Sequence, residues 1–296
     1  MAKGLVLMLV AGIPYYLLLK AKIEQHDPLY YKATYHSPYL VIGASRAQKG
    51  IAPQVLEEEL SLNAKALNFA FNGITSPYGK PYFELIKRKL GKIDTKGLFI
   101  LSVNPLTVMD YELGRGRREE DFRFYDLYLL NSKPNPEYIL RNIGNQRCLM
   151  ALLLSAGQKA RKYDVLHDNG WVERNPPPHR RPQTLAELSP GQLKPLPSPN
   201  RERWLRRTVQ YLQQYGQVVL VRMPTKDLVR QEEARVLPHF QTFLQQLARD
   251  AQIPYFDYAS LADSLTYLDN FHHLDGPGAR AFTKRLAQDI KAAGYW

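Results

Sequence analysis

The chain has 296 residues, 45% of them hydrophobic, enough to bury one sizeable core, and its single cysteine, Cys148, excludes an intramolecular disulfide and a multi-cysteine metal site. Its 40 lysines and arginines outnumber 28 aspartates and glutamates for a formal charge of +12, which favours anionic surroundings without deciding the fold. The arginines cluster at 115, 117 and 118, at 180 and 181, and at 201, 203, 206 and 207, with no zinc-finger spacing or RNP-like motif; they read as a solvated basic face, and no nucleic-acid partner is expected.

The first element is an uncharged run from Gly4 to Leu19, set between Lys3 and the pair Lys20 and Lys22. It reads as a signal anchor over residues 1–22, a single transmembrane helix that is not cleaved, since no small-x-small site follows. Sixteen helical residues cover about 24 Å of a hydrocarbon core about 30 Å thick, so snorkelling lysines or local thinning must supply the rest. A buried N-terminal helix is the competing reading. Residues 23–37 read as a polar linker. Strand and helix then alternate: a strand at Tyr39–Ile42, a helix at Pro53–Leu60, a strand at Ala66–Phe71, a helix at Pro77–Lys92 and a strand at Gly97–Val103. Such a βαβαβ run predicts an α/β domain over residues 38–296, a three-layer α/β/α sandwich with a parallel sheet and right-handed crossovers. Residues 106–200 break the alternation and read as an insertion, with helices near Pro136–Asn145 and Cys148–Lys162 and a surface loop through Trp171. Regular structure resumes with a helix at Arg201–Tyr215, a strand at Gln217–Arg222, a helix at Gln231–Ala251, a strand at Pro254–Tyr258 and a helix at Pro277–Ala293.

The segment Pro38–Arg46 carries the first chemical signal, because its apolar strand breaks on Gly43 and presents Ser45 on the turn before a helix. An alcohol at the C-terminal end of a parallel strand sits where open α/β sheets bind ligands, although serine is also a common helix N-cap. Three further segments follow in order: Asn68-Phe-Ala-Phe-Asn-Gly73-Ile-Thr75, Asn104 after the third strand, and Asp269-Asn-Phe-His272-His273-Leu-Asp-Gly-Pro-Gly278-Ala279. With Gly43-Ala-Ser45, these four blocks resemble the SGNH or GDSL hydrolases. That resemblance implies a flavodoxin-like SGNH hydrolase fold with Ser45 as nucleophile, a late histidine as base and Asp269 orienting it. It also implies an oxyanion hole made by the Ser45 and Gly73 backbone N–H groups and the Asn104 amide, and it calls for no cofactor.

The chemistry needs these residue types together. A serine hydroxyl attacks a carbonyl only when an imidazole takes its proton, a carboxylate must hold that imidazole in the right tautomer, and donors must meet the developing oxyanion. Ala44, Pro105 and the doubled histidine depart from the family pattern. Asp-x-x-His spacing selects His272 as base, whereas the His-Leu-x-x-x-Gly-Ala continuation selects His273 and puts Asn270 at the aspartate's place. Arg46 is a candidate for binding an anionic acceptor or for pairing with a structural carboxylate. The mixed aromatic and charged stretch Tyr111–Tyr128 is a candidate carbohydrate groove, and His167 with Trp171 a candidate substrate lid. His26, His36, His179 and His239 lack ligand spacing, so no metal is expected. The resulting expectation is an ester hydrolase or O-acyltransferase acting on an acylated cell-envelope glycan or small ester. It would sit single-pass in a bacterial inner membrane with its domain outside the cytoplasm, alongside a membrane-bound acyltransferase as partner. An inactive scaffold or glycan-binding protein of the same fold is the alternative.

Overall fold

The computed structural model describes residues 2–71, 78–91, 96–112, 130–141, 164–175, 194–269 and 271–296. In chain order its elements are α1 (Ala2–His26), α2 (Pro28–Thr34), β1 (Tyr39–Ile42), α3 (Ser45–Gly50), α4 (Pro53–Leu60), β2 (Leu67–Asn68), α5 (Lys80–Leu90) and β3 (Gly97–Ser102). After these come β4 (Met109–Glu112), α6 (Pro136–Arg141), β5 (Asp164–Leu166), β6 (Val172–Arg174), β7 (Lys194–Pro197), α7 (Pro199–Leu212) and β8 (Gly216–Arg222). The chain closes with α8 (Asp227–Val236), α9 (Phe240–Ala251), β9 (Tyr255–Asp257) and α10 (Gly276–Ala292).

Five strands form one parallel sheet in the order β2-β1-β3-β8-β9. The order reverses between β1 and β3, so the crevice beyond their C-terminal ends is the place where doubly wound sheets hold ligands. Residues alternate between the two faces as the pleat requires. Leu40, Ile42, Phe99, Leu101, Val218 and Leu220 pack under α2, α5, α7 and α9, whereas Tyr39, Val41, Leu98, Ile100, Val219 and Val221 pack under α3, α4 and α10. Helices on both faces of a parallel sheet are the architecture that the βαβαβ pattern predicts.

Several boundaries differ from the sequence expectation, each for a physical reason. α1 forms over Ala2–His26, and no helix among the described residues is long and apolar enough to cross a membrane. The uncharged run is short, Lys20, Lys22 and Glu24 follow it directly, and Leu19 and Ile23 are buried in the domain core. The expected linker is helix α2, whose Tyr30, Lys32 and Ala33 are buried. Burial of Lys32 is tolerated because its ammonium donates to the carbonyls of Asn68 and Gly170. The helix expected over Gln231–Ala251 divides into α8 and α9 because Pro238 supplies no N–H and disfavours a helical residue before it. The insertion holds more strand than expected: β4 pairs antiparallel with β7, and β5 with β6. Residues 142–162 and most of Tyr111–Tyr128 lie outside the described residues.

Candidate active site

Ser45 owes its position to the end of β1. Gly43 has φ +149°, and a Cβ there would lie 2.9 Å from the Ser102 carbonyl oxygen, so only glycine lets the chain leave the sheet at this point. α3 then opens on Ser45, whose N–H, as the first in a helix, has no intrahelical acceptor. Two buried tyrosines brace this edge from the opposite face. The Gly43 N–H donates to the Tyr82 hydroxyl oxygen at 3.1 Å, and that hydroxyl donates to the Phe69 carbonyl at 2.8 Å. The Tyr78 hydroxyl donates to the Ser102 carbonyl at 3.0 Å. The pair therefore ties together the ends of β2, β1 and β3, the strands that lead into the first three blocks. Burial pushes both phenols well above their usual range, which keeps them protonated as donors.

The partner groups arrive from the far end of the chain. An antiparallel bridge between Tyr267 and Leu274 closes a loop, with the Leu268 N–H donating to the His273 carbonyl at 2.8 Å. Within that loop Asp269 Oδ1 accepts the backbone N–H groups of Phe271 and His272 at 3.0 Å and of His273 at 3.1 Å. The carboxylate is thereby fixed with Oδ2 turned to His273 Nδ1 at 2.6 Å, and His273 Nε2 lies 2.9 Å from Ser45 Oγ. An ionised carboxylate only accepts, so Nδ1 carries the proton and Nε2 is left to accept from the serine. The loop then enters α10, whose N-cap Asp275 accepts from the Gly278 N–H at 2.9 Å.

Electrostatics favour this protonation pattern. Burial lowers His273 to about 4 despite the opposing hydrogen bond that its ring donates to Asp269, so the ring is neutral at neutral pH. Burial alone would raise the Asp269 carboxyl, but the His273 hydrogen bond, the two imidazoles and the backbone N–H donors outweigh it and hold the group far below the usual carboxylate range. His272 is lowered to about 2, chiefly by burial and then by the neighbouring His273 and Arg46 charges. It takes no part in the serine contact: its Nε2 is 3.7 Å from Asp269 Oδ2, and its ring lies against His273 with centroids 4.1 Å apart.

The other sequence candidates fall as follows. Asn104 is buried just past β3, and since Ile42 stands opposite Leu101, residues 45 and 104 leave the sheet at the same edge. Its backbone is pinned by Thr107, whose hydroxyl donates to the Asn104 carbonyl at 2.7 Å, while its side-chain Oδ1 is buried without a hydrogen-bond partner among the described residues. Gly73 and Asn270 lie outside the described residues. Arg46 is buried beside the site. It is 4% exposed, and its guanidinium meets Glu233 of α8 at 2.6 Å, a pairing with a carboxylate, which is the second of the two roles expected of it. Trp171 is no lid: it is fully buried and its indole N–H donates to the Lys49 carbonyl at 2.8 Å, bracing α3 from behind. His167 stacks on that indole at 4.6 Å and meets Glu173 at 2.8 Å. Sequence alone missed Tyr78, Tyr82 and Glu233. The two tyrosines stand four apart, a spacing that signals only a shared helical face, and nothing in the sequence pairs residue 233 with residue 46.

No protein-family model matches the chain, and no curated protein matches it. Solved structures similar to it include a lipase/acylhydrolase from Enterococcus faecalis, 9% identical, covering 86% of this chain and 96% of that one with a TM-score of 0.43. The inhibitor-bound and native forms of M. smegmatis aryl esterase are each 12% identical, covering 86% of this chain and 98% of theirs with a TM-score of 0.39.

Proposed function

We propose that this chain is a serine-dependent ester hydrolase. The observation that carries the proposal is the His273 ring bridging Ser45 Oγ at 2.9 Å and Asp269 Oδ2 at 2.6 Å. In the first step Ser45 Oγ bonds to the acyl carbon while its proton passes to His273 Nε2 and the carbonyl electron pair moves onto oxygen. Asp269 steadies the imidazolium. The Ser45 N–H and the Asn104 amide are the donors assigned to the oxyanion, with the Gly73 N–H as third; one such donor is worth about 3 kcal/mol. Collapse of the oxyanion expels the alkoxide, which takes the proton from Nε2. Water, activated by the same nitrogen, then releases the acyl group from Ser45.

A sugar hydroxyl in place of that water would make the reaction acyl transfer, and the +12 charge favours an anionic glycan as the acyl carrier. The test uses the full chain with p-nitrophenyl acetate and a fluorophosphonate probe. Turnover and labelling of Ser45 are expected, both lost in Ser45→Ala. Absence of both from the folded wild-type chain would leave a non-catalytic scaffold.

A further inference from the structure

The hydrolytic scheme uses one histidine of the adjacent pair and leaves the other without work. His272 is largely buried, stays neutral, and its ring makes no hydrogen bond to Asp269, because 3.7 Å from Nε2 to Oδ2 is too long for one. That separation suits a shared ion instead. Zinc binds imidazole nitrogen at about 2.0–2.1 Å and carboxylate oxygen at about 2.0–2.2 Å, so two such ligands in a tetrahedral site stand about 3.4 Å apart. Among the described residues, Asp269, His272 and His273 each offer one ligand atom, and all three atoms lie within 4.8 Å of one another. The three backbone N–H bonds to Asp269 Oδ1 also leave Oδ2 as the one oxygen turned toward both rings.

We propose that Asp269, His272 and His273 form a reversible zinc site that switches the catalytic base off. This rests on the ester-hydrolase proposal for its consequence, though not for the binding itself. Zinc would join Asp269 Oδ2, His272 Nε2 and His273 Nδ1, with water completing the tetrahedron. Ligation through Nδ1 replaces the hydrogen bond between His273 and Asp269 and requires the tautomer with its proton on Nε2. That nitrogen then donates to Ser45 Oγ and has no lone pair with which to take the serine proton. His272 is thus a metal ligand and Asp269 has two alternative partners, the His273 N–H or the ion. The surroundings set a modest affinity. Arg46 and Lys49 lie close enough to act on both rings and oppose a cation, although Glu233 offsets Arg46. Micromolar rather than structural binding is expected.

The experiment titrates zinc chloride into the full chain against a fluorescent chelator, then repeats the titration with His272→Gln and with His272→Cys. One zinc per chain is expected, weakened at least tenfold in His272→Gln and recovered in His272→Cys, which restores a ligand. In parallel, p-nitrophenyl acetate turnover with and without zinc is compared within each variant. Zinc should suppress turnover in the wild type, EDTA should restore it, and the suppression should vanish in His272→Gln. Failure of the wild type to bind zinc, or equal binding by His272→Gln, overturns the site. Zinc binding that depends on His272 in a chain that cleaves no ester would keep the metal site and remove the hydrolase.

Discussion

Replacing Asp269 by Asn tests the proposed triad through one atom while sparing the fold. Asp269 Oδ1 accepts three backbone N–H groups at 3.0, 3.0 and 3.1 Å, and an asparagine can satisfy them only with its amide oxygen in that place. The NH2 group must then take the position of Oδ2, facing His273 Nδ1, now 2.6 Å away. Since that group only donates, Nδ1 has to accept, the ring proton moves to Nε2, and the nitrogen beside Ser45 becomes a donor. A triad locked in this tautomer loses about ten-thousand-fold in kcat, equivalent to about 5.4 kcal/mol of transition-state stabilisation. The backbone bonds survive, so thermal stability should change little. Asp269→Ala, by contrast, orphans the three donors and should cost at least about 1–3 kcal/mol of stability. The assay is p-nitrophenyl acetate turnover alongside a thermal melt. Asp269→Asn turnover within tenfold of wild type would show that the contact between His273 and Asp269 is not what activates Ser45.

Three further outcomes follow from the same coordinates. Because hydrolysis needs neutral His273 and burial lowers that ring to about 4, kcat/KM should rise with pH through a midpoint well below 6 and be roughly nine-tenths of maximal by about pH 5; a midpoint at or above 6.5 would refute the desolvation. Lys89, buried with its ammonium donating to the Lys32 carbonyl at 2.7 Å, is lowered to about 7 by desolvation. The unfolded chain therefore binds the extra proton between pH 7 and 10.5, and stability should rise with pH across that window by up to about 5 kcal/mol, with Lys32 shifted in the same direction. The melting temperature should climb from pH 7 to 9.5, before tyrosine ionisation acts in the opposite sense, and Lys89→Met should flatten the climb; a flat wild-type profile would contradict the burial argument. Tyr82→Phe leaves the Gly43 N–H and the Phe69 carbonyl without their shared hydroxyl, which should cost about 1–3 kcal/mol of stability and lower kcat with KM little changed. A variant with unaltered kcat would separate this brace from the chemistry.

Much of this arrangement is legible in the linear chain because it depends on local rules. Short apolar strands alternating with amphipathic helices dictate a parallel sheet, Gly43 marks where β1 must end, and Asp275 with Pro277 marks the start of α10. Where local rules compete with long-range packing, the linear chain misleads. The polar composition of residues 23–37 reads as a linker, yet α2 is buried because Lys32 finds carbonyls on β2 and beside β6. The run from Gln231 to Ala251 reads as one helix because its apolar period continues across Pro238.

By itself, then, the sequence determined the α/β sandwich, the location of Ser45 and the presence of an aspartate and two histidines that could serve it, since periodicity and glycine stereochemistry act within a few residues. Only the tertiary structure placed His273 rather than His272 against Ser45, set Arg46 against Glu233, and put Tyr82 behind the Gly43 turn. Those outcomes depend on the direction in which a side chain leaves a folded loop. Adjacent histidines differ there, because three backbone N–H groups hold one carboxylate oxygen and leave the other facing a single ring at hydrogen-bonding distance.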